Sequence, residues 1–182
     1  MIKIQLVDDE PHILKALSRV LGREGLEVHA FTDIEEALAA LGEHHYAVIL
    51  VDFKMPQING VTYLQFAKQS QPDAVRIVIS AFGDRQTMMD AINLAEVYRF
   101  LSKPWEDYEI TAAIRSAIDL YSLRTENRRL LLQVNAQQLR LRAQEEELQR
   151  LEQENPGLTR VERDPDGHII IDSLADRAEA PG

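Results

Sequence analysis

Three carboxylates, two serines and one lysine stand at the ends of short apolar runs. Ile2–Val7 precedes Asp8 and Asp9, Tyr46–Val51 precedes Asp52, Val75–Ile79 precedes Ser80, and Val97–Leu101 precedes Ser102, Lys103 and Pro104. In an open parallel sheet, ligands bind in the crevice beyond the carboxyl ends of the strands. One fold would then gather Asp8, Asp9, Asp52, Ser80 and Lys103 into a single pocket. Adjacent acids facing a third acid repel unless a cation lies between them. Magnesium suits that set, being hard, octahedral and content with one or two carboxylates plus phosphate oxygens and water. A carboxylate can also act as a nucleophile and form an acyl phosphate, a transfer that needs positioning and charge neutralisation more than covalent help. Lys103 would neutralise one phosphoryl oxygen as a point charge, and the Ser80 hydroxyl would donate to another. Taken singly, each residue is ordinary: acids and serines after strands usually cap turns, and lysines usually sit at the surface. Asp33 has no such partner and reads as helix-start charge. The joint occurrence after strands one, three, four and five is what carries the signal.

The elements that must hold these residues alternate through residues 1–118. Pro11 suits a helix's first turn, and Ile13, Leu14, Leu17, Val20 and Leu21 mark one helical face ending near Gly22–Gly25. Glu27–Phe31 is a short second strand. Thr32 with Glu35 has capping-box spacing and opens a helix through Ala37, Leu38 and Leu41. The continuous apolar run Tyr46–Val51 fits a central strand covered on both faces. A loop over residues 54–60 leads to a helix carrying Val61, Leu64 and Phe66, and residues 84–95 form a weak amphipathic helix. Five strands alternating with five helices predict a doubly wound α/β fold.

From Trp105 the pattern changes, with no Pro or Gly until Pro156 and Gly157, so the fifth helix is predicted to run about 50 residues. Ile110, Ile114 and Ile118 would face the sheet. Beyond them a heptad places Leu120, Asn127, Val134, Leu141 and Leu148 at one seam position and Leu123, Leu130, Gln137, Gln144 and Leu151 at the other. Seven of these ten are aliphatic, which favours a coiled coil over a solvated single helix. Residues 124–142 hold five arginines and one glutamate, and 145–154 hold five glutamates and one arginine. An antiparallel pair would match those blocks, whereas a parallel pair would set like beside like at modest cost; the orientation stays open. Asp164-Pro165-Asp166-Gly167 between apolar alternations reads as a hairpin. The expected division is a phosphoacceptor domain over 1–119, a coiled-coil helix over 120–154, a hairpin tail over 155–172 and a frayed end over 173–182.

Composition narrows the classes. The 182 residues carry a net charge of −10 and a 45% hydrophobic fraction, enough for a core and against nucleic acid as a partner. Cysteine is absent, so disulfides and thiolate zinc sites are excluded. The opening apolar stretch is short and runs straight into Asp8-Asp9-Glu10, unlike a signal peptide. No run approaches the ~20 residues needed to span a bilayer. A soluble cytoplasmic protein is expected.

Leu6-Val7-Asp8-Asp9-Glu10, Asp52-Phe53-Lys54-Met55-Pro56 with Gly60, Ile79-Ser80-Ala81 and Phe100-Leu101-Ser102-Lys103-Pro104-Trp105 together resemble the receiver domain of two-component response regulators. The resemblance covers about residues 1–120, and the wording from Arg99 to Trp105 is similar to receivers of the hydrogenase-regulator and cyclic-di-GMP-phosphodiesterase branches. It implies a flavodoxin-like sheet of order 2-1-3-4-5. It also implies that Asp52 accepts phosphate from a sensor histidine kinase. Asp9 would bind Mg2+ directly, Asp8 through water, and the Lys54 carbonyl would be a further ligand. Ser80 and Phe100 would act as switch residues, Lys103 would pair with the phosphoryl group, and the Lys103–Pro104 bond would be cis. Ala81 leaves room for phosphate, and Phe82 would shield it from water.

The output is less direct. Residues 155–182 are too few for a helix-turn-helix core or a catalytic site. The leading expectation is therefore homodimerisation through the coiled coil, or binding of a downstream protein, biased by phosphorylation. A phosphorelay intermediate or phosphate sink is the alternative, and a regulator whose helix is only a linker is a third reading. A haloacid-type phosphatase would place a second acid two residues after the nucleophile, but Asp52 is followed by Phe53 and Lys54. The chain is accordingly expected to signal rather than to act as an enzyme.

Overall fold

A computed structural model describes residues 2–56, 58–81 and 95–155. Five parallel strands, β1 (Lys3–Val7), β2 (Glu27–Phe31), β3 (Val48–Asp52), β4 (Val75–Ala81) and β5 (Arg99–Lys103), form one sheet in the order β2-β1-β3-β4-β5. The helices are α1 (Pro11–Gly22), α2 (Ile34–Glu43), α3 (Gly60–Ser70) and a C-terminal helix, Asp107–Glu154. The chain divides into two compact units, residues 1–129 and 130–182. The expected helix over 84–95 (save Ala95), Phe82 and the hairpin over 155–172 (save Asn155) lie outside the described residues.

Strand alternation sorts the core onto two faces. Val48 and Leu50 of β3 join Leu6, Leu17, Leu21, Ile77, Ile79, Ile110 and Ile114 on the side of α1 and the C-terminal helix. Ile49 and Val51 join Ile34, Leu41, Tyr63, Leu64 and Val78 on the side of α2 and α3. A sheet buried on both faces explains why its strands read as continuous apolar runs. Tyr63, absent from the sequence reading of α3, is fully buried, whereas Phe66 is half exposed. The phenol fits because its hydroxyl donates to Gln5 Oε1 at 2.7 Å, while Gln5 Nε2 donates to the Ala37 carbonyl at 2.8 Å.

Element edges differ from the apolar runs. β3 and β5 extend through Asp52 and Lys103, which end them, and β4 runs one residue past Ser80 to Ala81, so these residues lie within their strands rather than after them. α2 starts one residue later than the Thr32–Glu35 spacing implies. Asp33 is its cap, accepting from the Glu35 and Glu36 N–H groups at 2.7 and 3.1 Å. A carboxylate there satisfies two otherwise orphaned donors and faces the positive helix end. Asp33→Ala is expected to cost roughly 1 kcal/mol, read as a lower urea midpoint at unchanged slope. A midpoint that moves for Thr32→Ala instead would return the cap to Thr32.

β5 is anchored by an arginine. Arg76 is fully buried; its Nε donates to the Ala95 carbonyl at 2.7 Å, one amino group donates to the Ala74 carbonyl at 2.9 Å, and the other meets Glu96 at 3.2 Å. Glu96 has a left-handed backbone (φ 49°), and Lys68 holds its carboxylate at 2.7 Å. The Tyr98 N–H then donates to the Arg76 carbonyl at 2.8 Å, which starts the strand that ends in Lys103.

Candidate phosphoacceptor site

Sheet register sets the site. Val7 pairs with Val51, Asp52 with Ile79, Ser80 with Ser102, and Ala81 with Lys103, so the polar residues collect at one end of the sheet. Lys103 reaches across the end of β4 from β5. Its Nζ lies 2.5 Å from Asp52 Oδ1, 2.8 Å from Asp8 Oδ2 and 3.6 Å from Glu10 Oε1. The second Asp52 oxygen accepts from the Lys54 N–H at 2.8 Å, and the second Asp8 oxygen accepts from the Glu10 N–H at 2.9 Å. Asp8 and Asp52 are 2% and 5% exposed, so both acids depend on these partners rather than on water.

Burial pushes the Asp52 carboxyl above the ordinary aspartate value; Asp8 pushes the same way, and Lys103 and the Lys54 N–H pull back. Burial also opposes the charge on Lys103, yet Asp52 and Asp8 together hold that amine above the ordinary lysine value.

The floor of the site is as tight as its polar rim. Gly60 opens α3, with its N–H donating to the Phe53 carbonyl at 3.0 Å. A Cβ on Gly60 would stand 2.1 Å from the Asp52 carbonyl oxygen and 3.1 Å from Val51 Cγ1. Asn59 caps the same helix through the Thr62 N–H at 2.8 Å, so the helix start is fixed from both sides.

Of the residues singled out in the sequence, Asp8, Asp52 and Lys103 meet in direct contact. Ser80 is buried on β4, with its hydroxyl donating to the Ala81 carbonyl at 3.2 Å. Phe100 is half buried against the α2–α3 side of the core. Asp9 lies exposed and, with Thr32, Ile34, Met55 and Pro56, lines a cavity of about 80 Å³. Among the described residues no three His, Asp or Glu side chains already converge as a cation cage. The Lys103–Pro104 bond is cis. Sequence reasoning passed over Glu10, which the acidic run at 8–10 signals, and Arg76, a charge inside the apolar run Val75–Ile79.

The family model of the response regulator receiver domain matches residues 4–115. The chain belongs to the response regulator receiver family. As a receiver of two-component systems, residues 4–115 are a signalling domain. The chain is 33% identical to the hydrogenase transcriptional regulatory protein HoxA of Bradyrhizobium diazoefficiens over 123 residues, 68% of this chain and 25% of that protein. A solved structure of adenylate cyclase from Rhodopirellula baltica matches with a TM-score of 0.67 at 36% identity, covering 71% of this receiver chain and 96% of that one. The beryllofluoride-activated NtrC4 receiver domain dimer matches at 0.62 and 34% identity, over 66% of this chain and 99% of that one. The chain spans about a quarter of the length of the first curated relatives it matches. No helix of the described residues is long and apolar enough to cross a membrane.

Proposed function

We propose that Asp52 takes a phosphoryl group from the phosphohistidine of a cytoplasmic sensor histidine kinase, and that the phosphorylated receiver signals through its C-terminal helix. The carrying observation is the Lys103 ammonium held against both Asp52 and Asp8 at the end of the sheet. An Asp52 carboxylate oxygen forms a bond to phosphorus as the P–N bond breaks, and the electron pair returns to the kinase imidazole. The Lys54 N–H fixes the carboxylate, and Lys103 is placed to follow the incoming negative charge from Asp52 onto a phosphoryl oxygen. Ser80, already at the same strand end, would turn its hydroxyl to a second oxygen, and Phe100 would repack after it.

The donor set fits Mg2+, since two nearly buried carboxylates share a single ammonium and leave net negative charge among hard oxygens. Asp8, Asp9, Asp52 and the Lys54 carbonyl would hold it. Its bound charge would offset that of the transferred group. Asp52→Asn should abolish the mass gain of one phosphoryl group seen by intact mass spectrometry after incubation with a small acyl phosphate and magnesium. A gain retained by that variant would move the acceptor elsewhere.

Output through self-association is supported by the helix surface. Leu123, Leu130, Val134, Leu141 and Leu148 are between 44% and 63% exposed, an apolar seam at heptad spacing with no covering layer among the described residues. Light scattering with a beryllofluoride mimic should show a change in dimerisation for the wild type and none for Asp52→Asn. Rapid passage of phosphate from Asp52 to a second histidine protein, with unchanged mass, would favour a relay or sink instead.

A further inference from the structure

Blocks of charge along the C-terminal helix favour a head-to-tail pair, but only residues flanking the seam touch a partner. With Leu120, Asn127, Val134, Leu141 and Leu148 at heptad position a, and Leu123, Leu130, Gln137, Gln144 and Leu151 at d, only Arg124 and Arg140 of the six arginines over residues 124–150 flank the seam. Arg128 is bound by Asp73 at 3.0 Å, and Arg129 and Arg150 by Glu126 and Glu147 at 2.7 Å. Among the described residues, Asp119, Arg140 and Glu145 make no ion pair within the chain.

Charges that flank the seam share one spacing. Asp119 and Arg124 are at g and the following e, as are Arg140 and Glu145, five residues apart. Residues so spaced do not face each other on one helix. In a parallel, in-register pair, position g meets e of the partner. Both couples then become attractive contacts, each made twice by symmetry. Glu147 opposite Glu152 is the one like-charged couple, and Arg150 already neutralises Glu147 within its own chain. In the opposed alignment that faces Asn127 with Gln144 and Leu130 with Leu141, g meets g and e meets e. Arg124 with Glu145 is then the one attraction, against Asp119 with Glu154, since Glu126 and Glu147 are already neutralised in their own chain by Arg129 and Arg150. Asn127, at an a position, meets its own counterpart only in the parallel pair, where a single polar layer fixes register.

We propose that the occupant of the exposed seam is a second copy of this helix, parallel and in register, aligned by the Asp119–Arg124 and Arg140–Glu145 contacts and by Asn127. This rests on the self-association reading above and deepens it.

The chain lacks cysteine, so single reporters can be placed without background. Asn127→Cys and Gln144→Cys replace polar seam residues and leave every seam leucine in place. Under mild oxidation of the full chain, each variant alone should give a disulfide dimer. In the opposed alignment the two copies of residue 144 are ~26 Å apart, and only a mixture of the two variants would cross-link. Cross-linking confined to the mixture overturns the parallel orientation but keeps self-association. A monomer by light scattering with no cross-link in either arm removes self-association itself, and this pairing with it. As a second readout, Arg140→Glu should weaken dimerisation about tenfold, and adding Glu145→Arg should restore it. Absence of that restoration in a cross-linkable dimer also overturns the proposal.

Discussion

Gly60→Ala is expected to destabilise the protein by more than about 3 kcal/mol and to suppress phosphoryl uptake by whatever fraction still folds. The added methyl would stand 2.1 Å from the Asp52 carbonyl oxygen, a rigid backbone atom that cannot swing aside. Either α3 backs out of its contact with the β3 end, or Asp52 moves and leaves the reach of Lys103. Gly42, inside α2, is the control: a methyl added there would meet nothing within 4 Å. Alanine at that position should be neutral or stabilising by up to ~1 kcal/mol, since glycine is the poorer helix former. Urea denaturation of both variants gives the comparison. Equal midpoints for the two would show that the close approach at Gly60 has no energetic weight.

Lys103→Met should cost roughly 3 kcal/mol at neutral pH, because Asp8 and Asp52 would face each other with no cation between them. The dependence on pH has a definite sign. The Lys103 value is raised in the fold, so its contribution is complete below the ordinary lysine value and is lost only as pH climbs past the raised one. The Asp52 value is raised too, so ionising it costs the fold stability, a cost absent below the ordinary aspartate value and fully present above the folded one. Removing Lys103 enlarges that second term. The gap between variant and wild type should therefore be widest at neutral pH and close as the solution is acidified through the aspartate range. Added magnesium should narrow the neutral-pH gap by supplying the missing positive charge. Thermal unfolding across pH measures both effects, and a gap that widens on acidification would contradict the shared-ammonium picture.

Much of this was legible in the sequence because two-sided burial leaves a strong mark. Strands covered on both faces become uninterrupted apolar runs, and the polar residue that breaks each run is the one that reaches the sheet end. The fold class and the convergence of Asp8, Asp52 and Lys103 follow from that rule, whereas the strand order followed from the resemblance to receiver domains. Its exceptions are local. Hydrogen-bond pairing continues one to two residues past the apolar run, which is why β3, β4 and β5 include Asp52, Ser80 and Lys103. The capping residue of α2 was misread because Thr32 and Asp33 are both competent caps, and only backbone geometry chooses between them. Tyr63 and Arg76 were invisible for another reason. A buried phenol or guanidinium is tolerated only where particular carbonyls and amides already wait, and Gln5 and Ala37 for Tyr63, like Ala95 and Glu96 for Arg76, lie far away in sequence. Asp9 shows the limit of the strand-end rule, since the residue after Asp8 points to solvent while its neighbour is buried.

The buried guanidinium of Arg76 has a consequence for the opposite end of the sheet. Tyr98 hangs from the Arg76 backbone, and five residues later the chain delivers the amine of Lys103 to two carboxylates. A strand advances ~3.3 Å per residue and reverses its side chains at each step. The distance from anchor to amine is thus a ruler with no slack: one residue more or fewer would swing the cation to the wrong side of the sheet. Sequence drift in β5 can change side chains between the two ends, but its length is dictated from outside the reaction centre.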